Sequence, residues 1–272
     1  MMIAANTFPF EIEPSSQVFP APPKKPVRQG RPSSQQKQQT SKSRVRAVRG
    51  PTVSLAKDKL LRGRTVLEPQ GNLNPSYVRI KRWLDVVGAI GLIVVFSPIL
   101  LVTFAALCVT TKWRPLFLQQ RVGMCGRRFT MIKFRTMRLD AAKLQAQVTN
   151  EKDGPIFKNR RDPRITRIGR FLRSTSIDEM PQLFNVLVGQ MSLVGPRPAV
   201  ISEVVQYRPW QRRRLAVRPG LTCLWQISGR SEVAFEEWMR MDLWYLRNQG
   251  LKTDLKLLIR TPLKVLSRQG AY

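Results

Sequence analysis

The sequence contains no histidine among its 272 residues. Histidine is the side chain that titrates near neutral pH, and it is the usual general base and a frequent zinc ligand. Its absence excludes Ser-His and Cys-His nucleophile pairs and most zinc centres. Any enzymatic chemistry in this chain must therefore depend on carboxylates, lysine, arginine or a metal ion bound by oxygen atoms.

Cysteine is also scarce. The three cysteines are Cys108, Cys125 and Cys223, an odd number that lacks the spacing of a metal site. Cys108 lies within an apolar run, so the sequence favours a reduced, cytosol-facing protein over a disulfide scaffold.

Acidic residues are few: 17 Asp and Glu stand against 47 Lys and Arg, which gives a net charge of +30. A protein with this charge attracts anionic partners, such as phosphates, nucleic acid or acidic lipid. The apolar fraction of 43% is nevertheless ordinary for a protein with a hydrophobic core.

Residues 1–75 are rich in Pro, Gln, Ser, Lys and Arg and show neither helical nor alternating periodicity. This composition predicts a disordered basic tail. The basic cluster from Lys42 to Arg49 allows three interpretations: nucleic-acid binding, attraction to the anionic inner leaflet of a membrane, or simple solvation of the tail. Of the two binding interpretations, the lipid surface is favoured.

The chain carries no charged residue from Val86 to Val109. A straight helix of this length covers roughly 36 Å, enough to cross a hydrocarbon core of about 30 Å. A simple span is therefore one interpretation. Asp85 lies just inside this run, where an ionised carboxylate needs a partner, and Arg82 is a candidate.

A re-entrant helix is the second interpretation, and two features favour it. Ser97-Pro98 lies in the middle of the run, where proline removes a backbone hydrogen bond and kinks a helix. Basic residues flank both ends, whereas a spanning helix prefers them on one side. The sequence thus predicts a helix-break-helix membrane segment over residues 76–112.

Residues 113–272 have the pattern of a very basic cytosolic domain. Two short strands are predicted around the "RVGMCGRR" turn, at Leu116–Gln120 and Phe129–Lys133. A short helix is predicted at Asp140–Val148, and a loop at "NEKDGPIFKNRRDPR". Further helices are predicted at Met180–Leu187, Glu203–Arg214, Glu232–Leu246 and Leu255–Leu266.

The segment "RSTSIDEMPQLFNVL" holds an adjacent pair of acids, Asp178 and Glu179. Ser176 followed by Glu179 fits a capping box, so the acids could simply complement a helix dipole. A functional interpretation comes from the arginines upstream, which would keep both acids ionised. An ionised carboxylate can attack a phosphorus atom whose oxygens the arginines hold, and a second can bind Mg²⁺. These arginines are Arg160, Arg161, Arg164, Arg167, Arg170 and Arg173.

Two Gly-Pro turns carry further arginines. The first, Met191–Pro198, bears Arg197, and the second, "VRPGLTCLWQISGR", bears Arg218 and Arg230. A single loop arginine is usually solvated, but several on constrained turns beside two carboxylates are typical of a diphosphate cradle. No Walker or Rossmann glycine pattern is present in the sequence.

From about Ile80 to Tyr272 the chain closely resembles the bacterial sugar transferase family, the monotopic polyprenyl-phosphate phosphoglycosyl transferases. Four ordered motifs carry the resemblance: "KRWLDVVGA…FSP", "QQRVGMCGRRFTMIKFRTM", "DPRITRIGRFLRSTSIDEMPQLFNVLVGQMSLVGPRP" and "VRPGLTCLWQISGR". The third is long enough to make chance agreement negligible.

The resemblance implies a mainly helical fold with a small β-hairpin, in which Ser97-Pro98 breaks a re-entrant membrane helix. It also implies residue roles. Asp178 would be the nucleophile that forms a covalent phospho-sugar intermediate, and Glu179 would help to bind Mg²⁺. Lys133, Arg173 and Arg197 would bind substrate phosphates. Three residues are assigned to the substrate or uridine side without a firm role: Arg218, Arg230 and Asp242.

The implied reaction transfers a sugar 1-phosphate from a UDP-sugar to undecaprenyl phosphate and releases UMP. The size of the chain is nearest to priming enzymes of exopolysaccharide synthesis that use UDP-glucose or UDP-galactose. The enzyme would reside in the bacterial inner membrane with its catalytic domain in the cytosol. Self-association is left open. Cys223 replaces a common glycine, which puts the local backbone conformation in doubt.

Two rival functions are a membrane-tethered nucleic-acid-binding protein and a non-catalytic membrane-surface module. The basic residues alternate with rigid turns and two acids, instead of lining a helix or an aromatic platform as nucleic-acid binding requires. The sequence thus predicts an enzyme that has no nucleic-acid partner.

Overall fold

A computed structural model describes residues 74–151, 154–157, 159–228 and 233–266. Nearly all of the predicted basic tail lies outside the described residues, and so does Arg230. The described chain is mainly helical, as predicted, and contains two small sheets, one of which includes the predicted hairpin.

Helix α1, Pro75–Thr110, contains the whole apolar run. The Asn74 side chain accepts a hydrogen bond from Ser76 N at 2.9 Å, and Pro75 occupies the first turn, where its missing N–H costs nothing. Within the described part of the chain, α1 is the one helix long and apolar enough to cross a membrane, judged by length and composition.

The predicted break in the helix at Ser97-Pro98 is wrong, because α1 continues through both residues. Proline leaves the carbonyl of Val94 without its usual N–H donor. The Ser97 hydroxyl donates to this carbonyl at 2.8 Å. The serine thus supplies the hydrogen bond that Pro98 removes, which allows the helix to continue.

The first part of α1 is attached to the domain that follows it in the chain. The Asp85 carboxylate is 3% exposed and accepts hydrogen bonds from the Ser192 hydroxyl and from Leu193 N, both at 2.9 Å. Gly88 lies so close that a Cβ there would be 2.7 Å from the Leu193 side chain. The predicted pairing of Asp85 with Arg82 is wrong. Arg82 instead donates to the carbonyls at the end of a short helix, those of Val186 and Leu187, both at 2.7 Å.

The last turns of α1 are attached to the same domain. Leu107 is 1% exposed and packs with Phe134 and Leu172. Leu100, Leu116 and Ile177 pack against this cluster. Between Gly88 and Leu100 several apolar side chains are exposed; Val94 and Val95 are 65% and 70% exposed.

The predicted β-hairpin is confirmed, with longer strands. Strand β1, Leu116–Val122, pairs antiparallel with β2, Arg128–Phe134, from Leu116↔Phe134 to Val122↔Arg128. Strand β4, Ala199–Val200, adds to the other edge of β1. The outer edge of β2 is bound by the Asn185 amide, which accepts from Ile132 N at 3.1 Å and donates to Thr130 O at 2.8 Å.

A second sheet joins the two Gly-Pro turns. Strand β3, Ser192–Val194, is parallel to β5, Gly220–Thr222. A Cβ on Gly195 would lie 2.5 Å from Arg218 O, and a Cβ on Gly220 would lie 2.0 Å from Gly195 N. Glycine is required at both positions because the two backbones are in direct contact.

The remaining helices are short until the C-terminal region. The predicted Glu203–Arg214 helix is instead two short helices, and the second begins at Pro209. The chain is interrupted there because the residue before a proline is disfavoured in a helical conformation. The predicted Asp140–Val148 helix is a 3₁₀ turn at Lys143–Gln147. The helices are α2 Arg167–Ser174, α3 Gln182–Leu187, α4 Ile201–Gln206, α5 Pro209–Arg212, α6 Leu224–Ser228, α7 Phe235–Arg247 and α8 Leu251–Leu266.

Candidate functional site

Asp178 and Glu179 lie on a tight 3₁₀ turn, Ile177–Glu179, that connects α2 to α3. Ser176 enters this turn with a φ of 59°, in the left-handed region, and its side chain makes no capping bond. The predicted capping box is therefore wrong. The two neighbouring carboxylates on this turn lie in different surroundings, since Asp178 is buried and Glu179 is partly exposed.

Glu179 forms an ion pair with Lys133. The Lys133 Nζ donates to Glu179 Oε1 at 2.6 Å, and the two side chains are 19% and 29% exposed. Lys133 lies on β2, and the bonds from Asn185 to β2 fix α3 beside this strand. The predicted proximity of Lys133 to the acid pair is thus present, and Glu179 is partly open to solvent.

Asp178 is 7% exposed, and burial raises its pKa to about 6. The charges of Lys133 and Arg173 oppose this increase, whereas Glu179 adds to it. The arginines upstream were expected to keep this carboxylate ionised; desolvation exceeds the attraction of the nearby cations and raises the pKa, but not above neutral pH. Asp178 is still mainly ionised at neutral pH.

Glu179 responds in the opposite direction. Burial would raise its pKa, but the charges of Lys133, Arg197 and Arg121 together lower it below the ordinary value. The acid pair therefore consists of one carboxylate that is easily protonated and one that stays ionised, an arrangement that gives two neighbouring acids separate roles.

Arg173, at the end of α2, lies near Asp178. Its Nε donates to Thr136 Oγ1 at 2.9 Å. A Cβ on Gly169 would lie 2.0 Å from Thr136 O, so helix α2 packs directly on the backbone of Thr136. Burial lowers the pKa of Arg173, and the nearby Asp178 raises it.

The other arginines of the upstream series do not line one site. Arg164 is 3% exposed and donates two hydrogen bonds to Asp162, at 2.8 and 2.6 Å. It is therefore a structural residue. The remaining four have exposed side chains: Arg160, Arg161, Arg167 and Arg170.

Arg197 lies on the first Gly-Pro turn, and its charge lowers the pKa of Glu179. Its guanidinium lies 5.6 Å from the centre of the Trp238 ring, a cation–π contact. Arg218 is half-buried on the adjoining turn, and the contact of Gly195 with its carbonyl brings the two turns together.

Asp242 is 1% exposed and forms an ion pair with Arg214 at 2.6 Å. Burial raises the pKa of Asp242 to about 6, so it is ionised at neutral pH. Arg214 in turn donates to Arg197 O at 2.8 Å and to the Tyr207 hydroxyl at 2.9 Å. Asp242, assigned from the sequence to the substrate side, thus lies in the interior, behind the turn that carries Arg197.

Arg121 is a functional candidate that sequence reasoning missed. It lies on β1, is 5% exposed, and its charge lowers the pKa of Glu179. No sequence pattern indicated its burial, because arginine near the end of an amphipathic strand is usually solvated. Cys223 raises no difficulty: it is not among the residues with positive φ, so a side chain fits there.

The acid pair can hold a divalent metal ion only if substrate phosphates or water supply further oxygen ligands. Among the described residues, no group of three or more His, Cys, Asp or Glu side chains could hold a metal ion. Mg²⁺ is commonly bound by one or two carboxylates together with substrate phosphates and water. Asp178 and Glu179 fit this second kind of site, and the part-exposed Glu179 is the better placed to reach a phosphate-bound ion.

A family model described as "Bacterial sugar transferase" matches residues 76–268. The chain belongs to the bacterial sugar transferase family. The family expected from the four sequence motifs is thus confirmed.

Relatives of this sugar transferase carry informative names. It is 43% identical over 204 residues to the galactosyl transferase CpsE of Streptococcus agalactiae, covering 72% of this chain and 44% of CpsE. It is 40% identical over 218 residues to the undecaprenyl-phosphate galactose phosphotransferase of Salmonella typhimurium, covering 76% of this chain and 45% of that protein.

The exopolysaccharide production protein ExoY of Rhizobium meliloti is 35% identical over 211 residues, which cover 75% of this chain and 93% of ExoY. The chain spans less than half of the larger relatives but nearly the whole of ExoY.

Proposed function

We propose that this sugar transferase moves a sugar 1-phosphate from a UDP-sugar to undecaprenyl phosphate and releases UMP. The observation that carries the proposal is one buried carboxylate, Asp178, beside the Glu179–Lys133 ion pair and the guanidinium of Arg173. The names of the relatives supply the substrate class: one is a UDP-glucose:undecaprenyl-phosphate glucose-1-phosphate transferase of Klebsiella pneumoniae. UDP-galactose and UDP-glucose are the proposed donors.

In the first step, an Asp178 oxygen attacks the sugar-bearing β-phosphorus. The bond from this phosphorus to the bridging oxygen breaks, and the bridging oxygen leaves with UMP. Lys133, Arg173 and Arg197, whose charges act on the acid pair, would bind phosphate oxygens and stabilise the charge that develops on them. Ionised Asp178 needs no general base, which suits a chain that lacks histidine.

In the second step, a phosphate oxygen of the lipid attacks the phosphorus of the aspartyl phospho-sugar. The bond to Asp178 breaks, and the carboxylate is regenerated. The path for the lipid is supported by Ile177, which precedes Asp178 and packs against the apolar cluster that includes Leu107 and Leu100 of α1. The site thus lies directly beside the apolar helix.

Glu179 is the residue proposed to hold Mg²⁺, together with oxygens of the substrate diphosphate. Bound there, the ion would offset the negative charge of the diphosphate. Lys133 forms an ion pair with Glu179 at 2.6 Å. The charge of Lys133 keeps this carboxylate ionised, which is the form that binds a metal ion.

We also propose that α1 is re-entrant and enters and leaves the inner membrane from the cytosolic side. Gly88 and Leu100 both contact the cytosolic domain, and the helix between them covers only about 18 Å, less than a bilayer core of about 30 Å. Trp83 and Trp113, near the two ends, are 70% and 82% exposed, as expected of side chains at a membrane–water interface.

The topology is tested with single cysteines at exposed positions on either side of the apolar run. In a chain lacking Cys108, Cys125 and Cys223, the variants Asn74→Cys and Trp113→Cys should both resist an impermeant thiol reagent added to intact cells. Both should react after lysis. Reaction of one of them in intact cells would establish a span instead.

The covalent intermediate is tested by isotope exchange. Enzyme, Mg²⁺ and UDP-sugar without lipid should exchange labelled UMP into UDP-sugar. Asp178→Asn should abolish this exchange, whereas Asp140→Asn, which changes an exposed carboxylate outside the site, should retain it. Transfer to lipid without any exchange in lipid-free wild-type enzyme would indicate direct attack by the lipid phosphate.

A further inference from the structure

Arg121 is a buried cation without a carboxylate partner. Its side chain is 5% exposed, and among the described residues no acid lies within ion-pair distance of it. Burying an unpaired charge is costly, so buried arginines are normally paired, as Arg164 and Arg214 are in this protein. Arg121 is an exception to this rule, and its burial requires an explanation.

The guanidinium of Arg121 is only partly satisfied. Nη1 donates to Pro198 O at 3.0 Å and Nη2 donates to Gln119 Oε1 at 2.7 Å, both neutral acceptors. Nε is buried and has no acceptor. The guanidinium of Arg121 therefore has a donor in excess, as a site for an anion does.

The location of Arg121 connects it to the acid pair. The hydrogen bond from Arg121 to Pro198 O places Arg121 beside Arg197, the residue that precedes Pro198. Burial lowers the pKa of Arg121, and the positive charge of Arg197 lowers it further. The charges of Glu203 and, to a lesser extent, Glu179 act in the other direction and raise it. Two like charges held this close are stabilised by a shared anion, which would relieve their repulsion.

We propose that Arg121 is a further phosphate-binding residue of this site, which binds the diphosphate of the nucleotide sugar together with Arg197. The proposal rests on the proposed function. It assigns to Arg121 direct contact with a phosphate oxygen. The alternative is a positioning role, in which Arg121 merely holds the Pro198 carbonyl and hence the turn that carries Arg197.

The test is a double-mutant cycle, with UDP as the probe and the full chain in detergent. Arg121→Met should weaken UDP binding about tenfold to a hundredfold, the effect of losing a hydrogen bond to a charged group. Part of the loss should persist when Arg121→Met is added to Arg197→Met, because a direct contact does not depend on Arg197, although two neighbours that share an anion are not strictly additive. Arg121→Lys, which keeps the charge, should retain part of the affinity. Binding of uridine should not change in any of these variants.

Three outcomes overturn the proposal. Unchanged UDP affinity in Arg121→Met excludes a contact. Disappearance of the loss in the Arg197→Met background shows a positioning role. An equal loss for uridine shows a general distortion of the site. Failure of the proposed function itself has a different signature: the wild-type chain would not bind UDP, and Arg197→Met would make no difference.

Discussion

The two neighbouring carboxylates should affect stability in opposite directions, and neutralising each one tests this. Burial raises the pKa of Asp178 from 3.8 to about 6, which means that the folded chain disfavours the ionised form. A shift of this size corresponds to about 3 kcal/mol. At pH 8 Asp178→Asn, which is neutral and nearly equal in size, should therefore raise the free energy of unfolding by up to that amount.

The pH dependence follows from the same shift. Between pH 4 and 6 wild-type Asp178 is protonated when folded but ionised when unfolded, so its unfavourable contribution grows as the pH rises through this window. The gain from Asp178→Asn should accordingly be complete above about pH 6 and absent near pH 4. The substituted chain should have no exchange activity at any pH.

Glu179→Gln is the matched control. The pKa of Glu179 is lowered, so its ionised form stabilises the fold above the ordinary pKa of a glutamate, and this stabilisation is lost as the pH falls through the lowered value. Glu179→Gln should thus lower stability at pH 8 and leave Lys133 without its partner.

The measurement is thermal unfolding of the three purified proteins in detergent, at pH 8, 6 and 4, in buffer without magnesium and with a chelator. The reasoning fails if Asp178→Asn lowers the Tm at pH 8, or if its gain is the same at pH 4. It also fails if the two substitutions shift the Tm in the same direction at pH 8.

Four further outcomes are expected. Lys133→Met should reduce UMP exchange by a factor of about 10² to 10³, as loss of a group that stabilises transition-state charge does, with unchanged circular dichroism showing that the fold is intact. Asp242→Ala should destabilise the fold by about 3–5 kcal/mol, because it leaves Arg214 buried and unpaired; Asp140→Ala, at an exposed pair, should change the Tm little. Gly169→Ala should lower both stability and exchange, because its Cβ would meet Thr136 O at 2.0 Å, whereas Gly91→Ala, with no atom within 4 Å, should be tolerated. Deleting residues 1–70 should leave transfer in detergent largely intact and weaken retention on anionic vesicles; complete loss of activity in a folded deletion variant would contradict the assignment of this segment as a tail.

The hairpin and the acid pair could be predicted because their signals are local. A Gly-bearing turn between two apolar, β-branched and aromatic runs predicts β1 and β2, and the Asp178–Glu179 pair stands out in a chain with so few acids. Lys133 was assigned through the family motif, and the structure places it on Glu179.

Two of the errors concern long-range contacts, which local patterns do not record, and a third concerns a hydrogen bond within α1. Asp85 pairs with Ser192 and Leu193, about a hundred positions along the chain, instead of with the adjacent Arg82. The Ser176 capping box was plausible by spacing, but Lys133 binds Glu179 instead. Pro98 was expected to end a helix, and the serine before it compensates by a single hydrogen bond to Val94 O.

The two attachments of α1, at Gly88 and at Leu100, have a consequence for the choice of lipid. A helix that crosses a bilayer must match its apolar length to the hydrocarbon thickness, and a mismatch is relieved by tilting or by deforming the membrane. A segment of about 18 Å that stays within one leaflet has no opposite surface to meet. Under the proposed re-entrant topology, bilayers of short and of long acyl chains should therefore accommodate this enzyme equally well.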